Sequence, residues 1–435
     1  MKMLVLPTFP WGKRYAMISP SITPMKEGRA VRDTELYQNL LGIVSPWTVD
    51  SVTMDVEKQR VDVTVSHPPR ILFSCPECGT ESPVFDHAEE RVWRHLDSCQ
   101  FFTSLHARVP RISCTAHGVW QVSVPWVEAR GQFTKLFERL AIDVLKACDL
   151  SSAAALLRIS WDEAVRIQER AVERGLARKK EKPLRKIGVD EKAIAKGHQY
   201  MTLVCDLLEG TIEYVGEGRK TESLETFYQT LSPEQRNGIR AVSMDMWDPF
   251  FQATLRHVPE ASGKIVFDRF HIMGHVGKAV DTVRKREVRD GGVPELKGSK
   301  YLWLYSKENL PQSQRARFEA LRSLNLKVGR AWAMKEELRA LWQASSPEEA
   351  KAFWKRWFWW ATHSRLKPMR DVAYLVKRHL ANVLTYIIHP ITNAVSEGLN
   401  SKIQTIKKRA YGFRNKEHFK TAIYFHCGGL NLYPS

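Results

Sequence analysis

With 435 residues, 43% hydrophobic and 26% charged, the chain is too apolar for disorder and long enough for roughly two to four packed domains. Its formal charge of +18 favours a polyanionic partner, most simply a nucleic acid, and makes a metalloenzyme without one the weakest reading. No apolar run is long enough to cross a bilayer, and Pro7 and Pro10 break the apolar start, so a cytoplasmic protein with no membrane contact is expected.

Residues 1–34 hold little periodicity and are read as an extension. Residues 35–130 read as a β-rich domain: a short helix, then alternating runs at Val49–Met54 and Arg60–Val65. Within it lies Cys75-Pro-Glu-Cys78-Gly, and after intervening strands comes Cys114-Thr-Ala-His117-Gly. Two pairs spaced by two residues make a tetrahedral zinc pattern, with Cys99 and His95 as competing ligands. Four protein ligands leave no open position, so the Zn²⁺ would be structural.

Residues 131–180 read as helical. A first helix spans Gln132–Cys148 with Phe133, Leu136, Phe137, Leu140, Val144 and Leu145 on one side. A short helix at Ser151–Leu157, a turn at Arg158–Ser160 and a longer helix from Trp161 to Arg178 follow. Ser160 and Glu163 form a capping box. Arg166, Arg170 and Arg174 on the longer helix suit a helix-turn-helix reader of DNA, and a plain helical packing unit is the alternative. Arg178–Lys186 reads as a charged linker.

The segment KIGVDEKAIAKGHQYMTLVCDLLEGTIEYVGEG, residues 186–218, reads as three strands joined by turns at Lys196-Gly197 and Glu209-Gly210. Asp190 lies inside the first. A helix over Lys220–Leu231 precedes the strand RAVSMD, which ends in Asp245. Asp248-Pro249 opens another helix, and KIVFD ends in Asp268. Strand, helix and strand at this spacing form a parallel crossover, and acids at strand carboxyl ends are where open α/β sheets place ligands. Residues 274–390 read as an all-α insertion, with the cluster at Trp354, Trp357, Trp359 and Trp360 assigned to its core. A last long helix, from Thr392 to about Arg409, carries Glu397 off its apolar stripe and the cations Lys402, Lys407, Lys408 and Arg409, placed for DNA backbone contact.

Asp190, Asp245 and Glu397 therefore form a set of acids able to hold two Mg²⁺ (or Mn²⁺) ions for phosphodiester chemistry. Asp206 is assigned to its turn. Glu191 is set aside because strand alternation points it to the face opposite Asp190.

The order of these parts resembles the ISL3 family of bacterial insertion-sequence transposases. The resemblance runs through the zinc knuckle, the helix-turn-helix, GVDE at Asp190, SMDMWDPF at Asp245, VFDRFH, and SEGLNSKIQTIKKRAYGFRN, over roughly residues 35 to 430. It implies a multidomain α+β chain with a ribonuclease-H-like α/β catalytic core, residues 186–273 and 391–425, interrupted by the helical insertion. The implied DDE triad is Asp190, Asp245 and Glu397, with Asp268 and His271 as secondary candidates through a D-x-x-H element. The implied activity is cleavage and strand transfer of double-stranded DNA at terminal inverted repeats and a target. A homodimer or larger assembly in a nucleoid-associated bacterial protein is implied too. The competing readings are a DNA-binding regulator and a nuclease that cuts without joining.

Overall fold

The computed structural model describes residues 32–195, 199–391 and 394–435, so residues 1–31, the Lys196-Gly197 turn and Thr392 lie outside it. The chain divides into two compact units, residues 1–143 with 433–435, and residues 144–432.

In the first unit α1 (Asp33–Leu40) precedes β1 (Thr48–Asp55), β2 (Arg60–Ser66), β3 (Leu72–Ser74), β4 (Glu81–Arg94), β5 (Phe102–Cys114) and β6 (Gly118–Gln121). The sheet order is β1-β2-β5-β4-β3, with β6 on β5. Val61, Val63 and Val65 alternate inward along β2, as a one-sided strand requires. Trp47, Trp93 and Trp126 meet edge to face at ring distances of 5.0 and 5.6 Å and close the core. The long β4–β5 hairpin pairs Val84 with Ile112, so the start of one strand lies beside the end of the other.

Helix α2 (Lys135–Ala147) carries the chain onward. Its inward stripe is Phe137, Ala141, Ile142 and Leu145, whereas Leu136 and Leu140 are 40% and 46% exposed. The expected stripe is corrected because the i, i+4 series from Phe137 sets the buried direction.

In the second unit α3 (Leu150–Leu157) is capped by the Asp149 side chain, and Arg158 turns the chain in the left-handed conformation. α4 (Trp161–Ala177) then opens on the expected Ser160–Glu163 capping box, with both reciprocal hydrogen bonds formed. The charged linker is not merely solvated: Lys179 pairs with Glu213, and Lys182 with both Asp206 and Glu213, at 2.6 to 3.1 Å. Asp206 also accepts from the N–H groups of Leu208 and Glu209 in its turn.

The second sheet contains β7 (Lys186–Ala195), β8 (Gln199–Asp206), β9 (Thr211–Glu217), β10 (Ala241–Met244) and β11 (Ile265–Phe267). Its order is β11-β10-β7-β8-β9, with β7, β8 and β9 antiparallel and β7, β10 and β11 parallel. Three antiparallel strands continued by two parallel ones are the arrangement expected of a ribonuclease-H-like core. β10 and β11 are buried at every residue, which is why they read as unbroken apolar runs. Helices α5 (Thr221–Thr230), α6 (Pro233–Gly238) and α7 (Asp248–His257) lie between β9 and β11 in the chain. Leu224, Phe227 and Tyr228 of α5 and Phe250 and Ala253 of α7 share a core with Ile187 and Val189. Trp247, rather than Asp248, occupies the capping position of α7; Asp248 is already helical and lies in the first turn with Pro249.

The helical insertion comprises α8 (Arg269–Arg289), α9 (Lys300–Leu304), α10 (Gln312–Ser323), α11 (Lys327–Leu338), α12 (Pro347–His363), α13 (Lys367–Arg378) and α14 (Leu380–Ile388). Trp354 and Trp357 are buried and stacked, and the Trp357 indole N–H donates to the Met334 carbonyl at 2.9 Å. Trp359 and Trp360 are 63% and 36% exposed, so only half of that cluster is core. α14 returns to the sheet, where Asn382 donates to the carbonyl of Ile265 on β11. α15 (Ala394–Arg409) and α16 (Lys416–Cys427) complete the unit. Among the described residues no helix is long and apolar enough to cross a membrane.

Candidate active site and zinc centre

The β4–β5 hairpin brings the two halves of the cysteine pattern together. The ligating atoms of Cys75, Cys78, Cys114 and His117 all lie within 4.8 Å of one another. Cys78 Sγ is 3.7 Å from Cys114 Sγ, and His117 Nδ1 is 3.7 Å from Cys114 Sγ and 3.9 Å from Cys75 Sγ. A tetrahedral ion with bonds of about 2.3 Å to sulfur needs sulfurs roughly 3.8 Å apart, so the donor set fits Zn²⁺. The backbone N–H groups of Ala116 and His117 bring the Cys114 thiol down to about 7, toward the ligating thiolate. The competing ligands are not in the cluster. His95 is buried with Nδ1 2.8 Å from Thr134 Oγ1, and burial lowers its pKa to about 4. Cys99 is exposed in a turn.

In the second unit, strand register sets the acids. β10 pairs with β7 through Val242–Ile187 and Ser243–Gly188, and with β11 through Met244–Phe267. Counting on from these pairs, Asp190, Asp245 and Asp268 stand level across three adjacent parallel strands, at or beyond the carboxyl ends of β10 and β11. Asp190 Oδ1 accepts from the Glu191 N–H at 2.8 Å, and Asp245 Oδ1 accepts from the Trp247 N–H at 3.1 Å. Burial pushes both carboxyls above their ordinary range. His271, on the first turn of α8, opposes that in both cases, and Asp190 adds to it at Asp245. Asp268 is itself buried.

The last helix reaches this crevice through one close approach. Ser396 of α15 lies against Gly188 of β7, and its hydroxyl is 3.1 Å from Cys205 Sγ. A methyl group on Gly188 would sit 2.9 Å from Cys205 Sγ and closer still to Ser396 Oγ. Gly188→Ala is therefore expected to cost about 1–3 kcal/mol of stability through overpacking. Thermal unfolding of the variant against the parent checks this, and an unchanged midpoint would contradict it.

One turn further on, the Asn400 amide donates to Asp190 Oδ2 at 2.5 Å, and Lys192 Nζ donates to the Asn400 carbonyl at 3.2 Å. Asn400 was visible in the sequence only as a neighbour of Glu397 three residues on, a spacing that puts both on one helix face. Glu397 itself is exposed in the first turn of α15, and its side chain makes no hydrogen bond or ion pair with another described residue. Among the described residues, the zinc set is the only group of three or more Cys, His, Asp or Glu with ligating atoms that close together. The structure thus brings Asp190, Asp245 and His271 within electrostatic reach of one another, sets Asp268 level with both acids, and leaves Glu397 exposed on α15.

Glu191 follows Asp190 directly on β7. Alternation does send it to the face of β7 opposite Asp190, yet β10 ends at Met244, and Asp245 just beyond that end is the charge that acts on Glu191 most strongly. Burial raises its carboxyl, and Asp245 and then Asp190 add to the rise. Its Oε1 is 3.5 Å from Arg219 Nη1.

The basic candidates divide by use. Arg166 is exposed on α4, while Arg170 is half-buried and Arg174 donates to the Leu432 carbonyl at 2.6 Å. On α15, Lys402 donates to the His426 carbonyl and Lys407 to the Ala193 carbonyl, whereas Lys408 and Arg409 are exposed.

Comparison with known families bears on the whole arrangement. Residues 187–423, more than half of the chain, match the DDE-type ISL3 family model described as a transposase. The chain belongs to the ISL3 transposase family. Residues 72–117 match the zinc finger of transposases IS204, IS1001, IS1096 and IS1165, and residues 122–172 the helix-turn-helix domain of the ISL3 family. The chain is 27% identical to the transposase for insertion sequence element IS1001 of Bordetella parapertussis, over 80% of this chain and 87% of that one. It is 26% identical to the transposase for IS1557 of Mycobacterium tuberculosis, over 89% and 94%. The transposase is thus a zinc-finger, helix-turn-helix and DDE-domain protein that acts in DNA transposition.

Proposed function

We propose that this transposase cleaves element ends and joins them to target DNA at one metal-dependent site, with Asp190, Asp245 and Glu397 as the triad. The observation that carries the reading is the level placement of Asp190 and Asp245 on adjacent parallel strands, with the α15 Asn400 amide on Asp190. The available donors fit a hard divalent cation. They are carboxylate oxygens, together with two buried oxygens, Glu191 Oε2 and Asn400 Oδ1, that have no hydrogen-bond partner among the described residues. Bound there, Mg²⁺ or Mn²⁺ ions supply charge neutralisation at the scissile phosphate and activation of the attacking hydroxyl.

The chain's own groups do the positioning. The Asn400 amide and the Glu191 N–H fix the two oxygens of Asp190, and the Trp247 N–H fixes one oxygen of Asp245. Asp268 and His271 shape the floor of the crevice. Arg166, Arg170 and Arg174, with Lys402, Lys407, Lys408 and Arg409, are assigned to double-stranded DNA, in a complex of at least two copies. The division proposed is 35–130 for zinc, 131–180 for the helix-turn-helix, and 186–273 with 391–425 for catalysis, with 274–390 inserted.

The test incubates the purified chain with end-sequence oligonucleotides and Mg²⁺. Joined products are expected. Cut but unjoined ends would mark a nuclease, and binding without cutting a regulator. Asn400→Ala in the same assay should lower cleavage about 10–100-fold, the worth of one hydrogen bond to a charged group. Parental rates would remove Asn400 from the site.

A further inference from the structure

We propose that Glu191 is a fourth carboxylate ligand of the same metal site, an inference that rests on the metal-dependent reading above. It stands next to Asp190 on β7 and within electrostatic reach of Asp245, His271 and Arg219. Its two oxygens have different surroundings. Oε1 lies 3.5 Å from Arg219 Nη1, while Oε2 is buried with no hydrogen-bond partner among the described residues. An acceptor left bare in that way costs free energy unless something outside the protein fills it.

Arg219 is itself held in place. Its guanidinium carbon sits 4.1 Å from the Tyr200 ring centroid and 4.6 Å from that of Trp247. The Trp247 indole N–H donates to the Arg219 carbonyl at 2.9 Å, and the Trp247 backbone N–H holds Asp245. One clamp therefore fixes Glu191 and Asp245 relative to each other. Stacking immobilises the arginine, the arginine takes one oxygen of Glu191, and the other oxygen is left for a cation. The Arg219–Glu191 contact is single and long, not the two-bond fork that an arginine and a carboxylate form at their strongest. Asp245 and Asp190 act on Glu191 as like charges, and a bound cation would relieve that repulsion.

The test is Mn²⁺ titration of the full zinc-loaded chain by calorimetry, with Glu191→Gln and Asp190→Asn as parallel variants. Zinc content and end-DNA binding report folding. Weakening of Mn²⁺ binding by at least about tenfold in Glu191→Gln, with a comparable loss in Asp190→Asn, is the expected result; groups that merely support a ligand already cost 10–100-fold. Parental affinity and stoichiometry in Glu191→Gln, with a loss in Asp190→Asn, would overturn the role of Glu191 and leave the metal site standing. No loss in either variant would overturn both. If Glu191→Gln does not fold, Glu191→Asp decides by the same readout. Its shorter side chain weakens Mn²⁺ binding if Glu191 is a ligand and leaves it unchanged if it is not.

Discussion

Replacing Asp190 with Asn is expected to lower DNA strand cleavage by at least about 1,000-fold, equivalent to several kcal/mol of transition-state stabilisation, while end binding persists. The substitution keeps the shape of the side chain and removes its charge. The Asn400 amide would then face an amide in place of a carboxylate at 2.5 Å. The two level strands lose half of the oxygen pair on which the site is built, and the helix-turn-helix is untouched. Gel-shift binding to an end oligonucleotide beside a cleavage assay in Mg²⁺ separates the two effects. Cleavage at the parental rate would remove Asp190 from the chemistry and with it the triad.

Replacing Cys114 with Ser is expected to release the zinc and unfold the β4–β5 region. Structural zinc contributes roughly 10–16 kcal/mol in small modules, as much as the whole stability of a typical domain. The hairpin pairing alone would have to hold ends that are otherwise tied by two ligand pairs, with Cys78 and Cys114 36 residues apart and Cys75 and His117 42 apart in the chain. Metal analysis should find one zinc per chain in the parent and none in the variant. Limited proteolysis should cut between residues 75 and 121 in the variant only. A variant that retains zinc and resists the protease would show that the four residues are not the binding set.

Much of this was legible in the sequence because it is written in local chemistry. The capping box at Ser160 and Glu163, the buried runs of β10 and β11, and the paired cysteine spacings each follow from residues near one another. What the sequence concealed depends on where one element stops beside another. Alternation along β7 places Glu191 on the face opposite Asp190, and only the neighbouring strand brings Asp245 within its electrostatic reach. Asn400 carries no signal of its own in the sequence; Gly188 lets α15 come close enough for its amide to reach Asp190. The stripe of α2 was misassigned because six apolar residues offered two overlapping directions, and packing chose the one through Phe137 and Ala141.

The hydrogen bond between Asn400 and Asp190 spans 210 positions of chain. A ribosome adding roughly 5–20 residues each second therefore needs on the order of 10–40 s to go from the first of these residues to the second. From the time Asp245 is made until α15 emerges, the nascent protein carries its helix-turn-helix and both strand acids, yet lacks the helix that brings Asn400 to Asp190. Synthesis itself thus imposes a delay between the ability to hold DNA and the ability to cut it. A chain broken off within the inserted helices would be left as a binder that competes with intact copies.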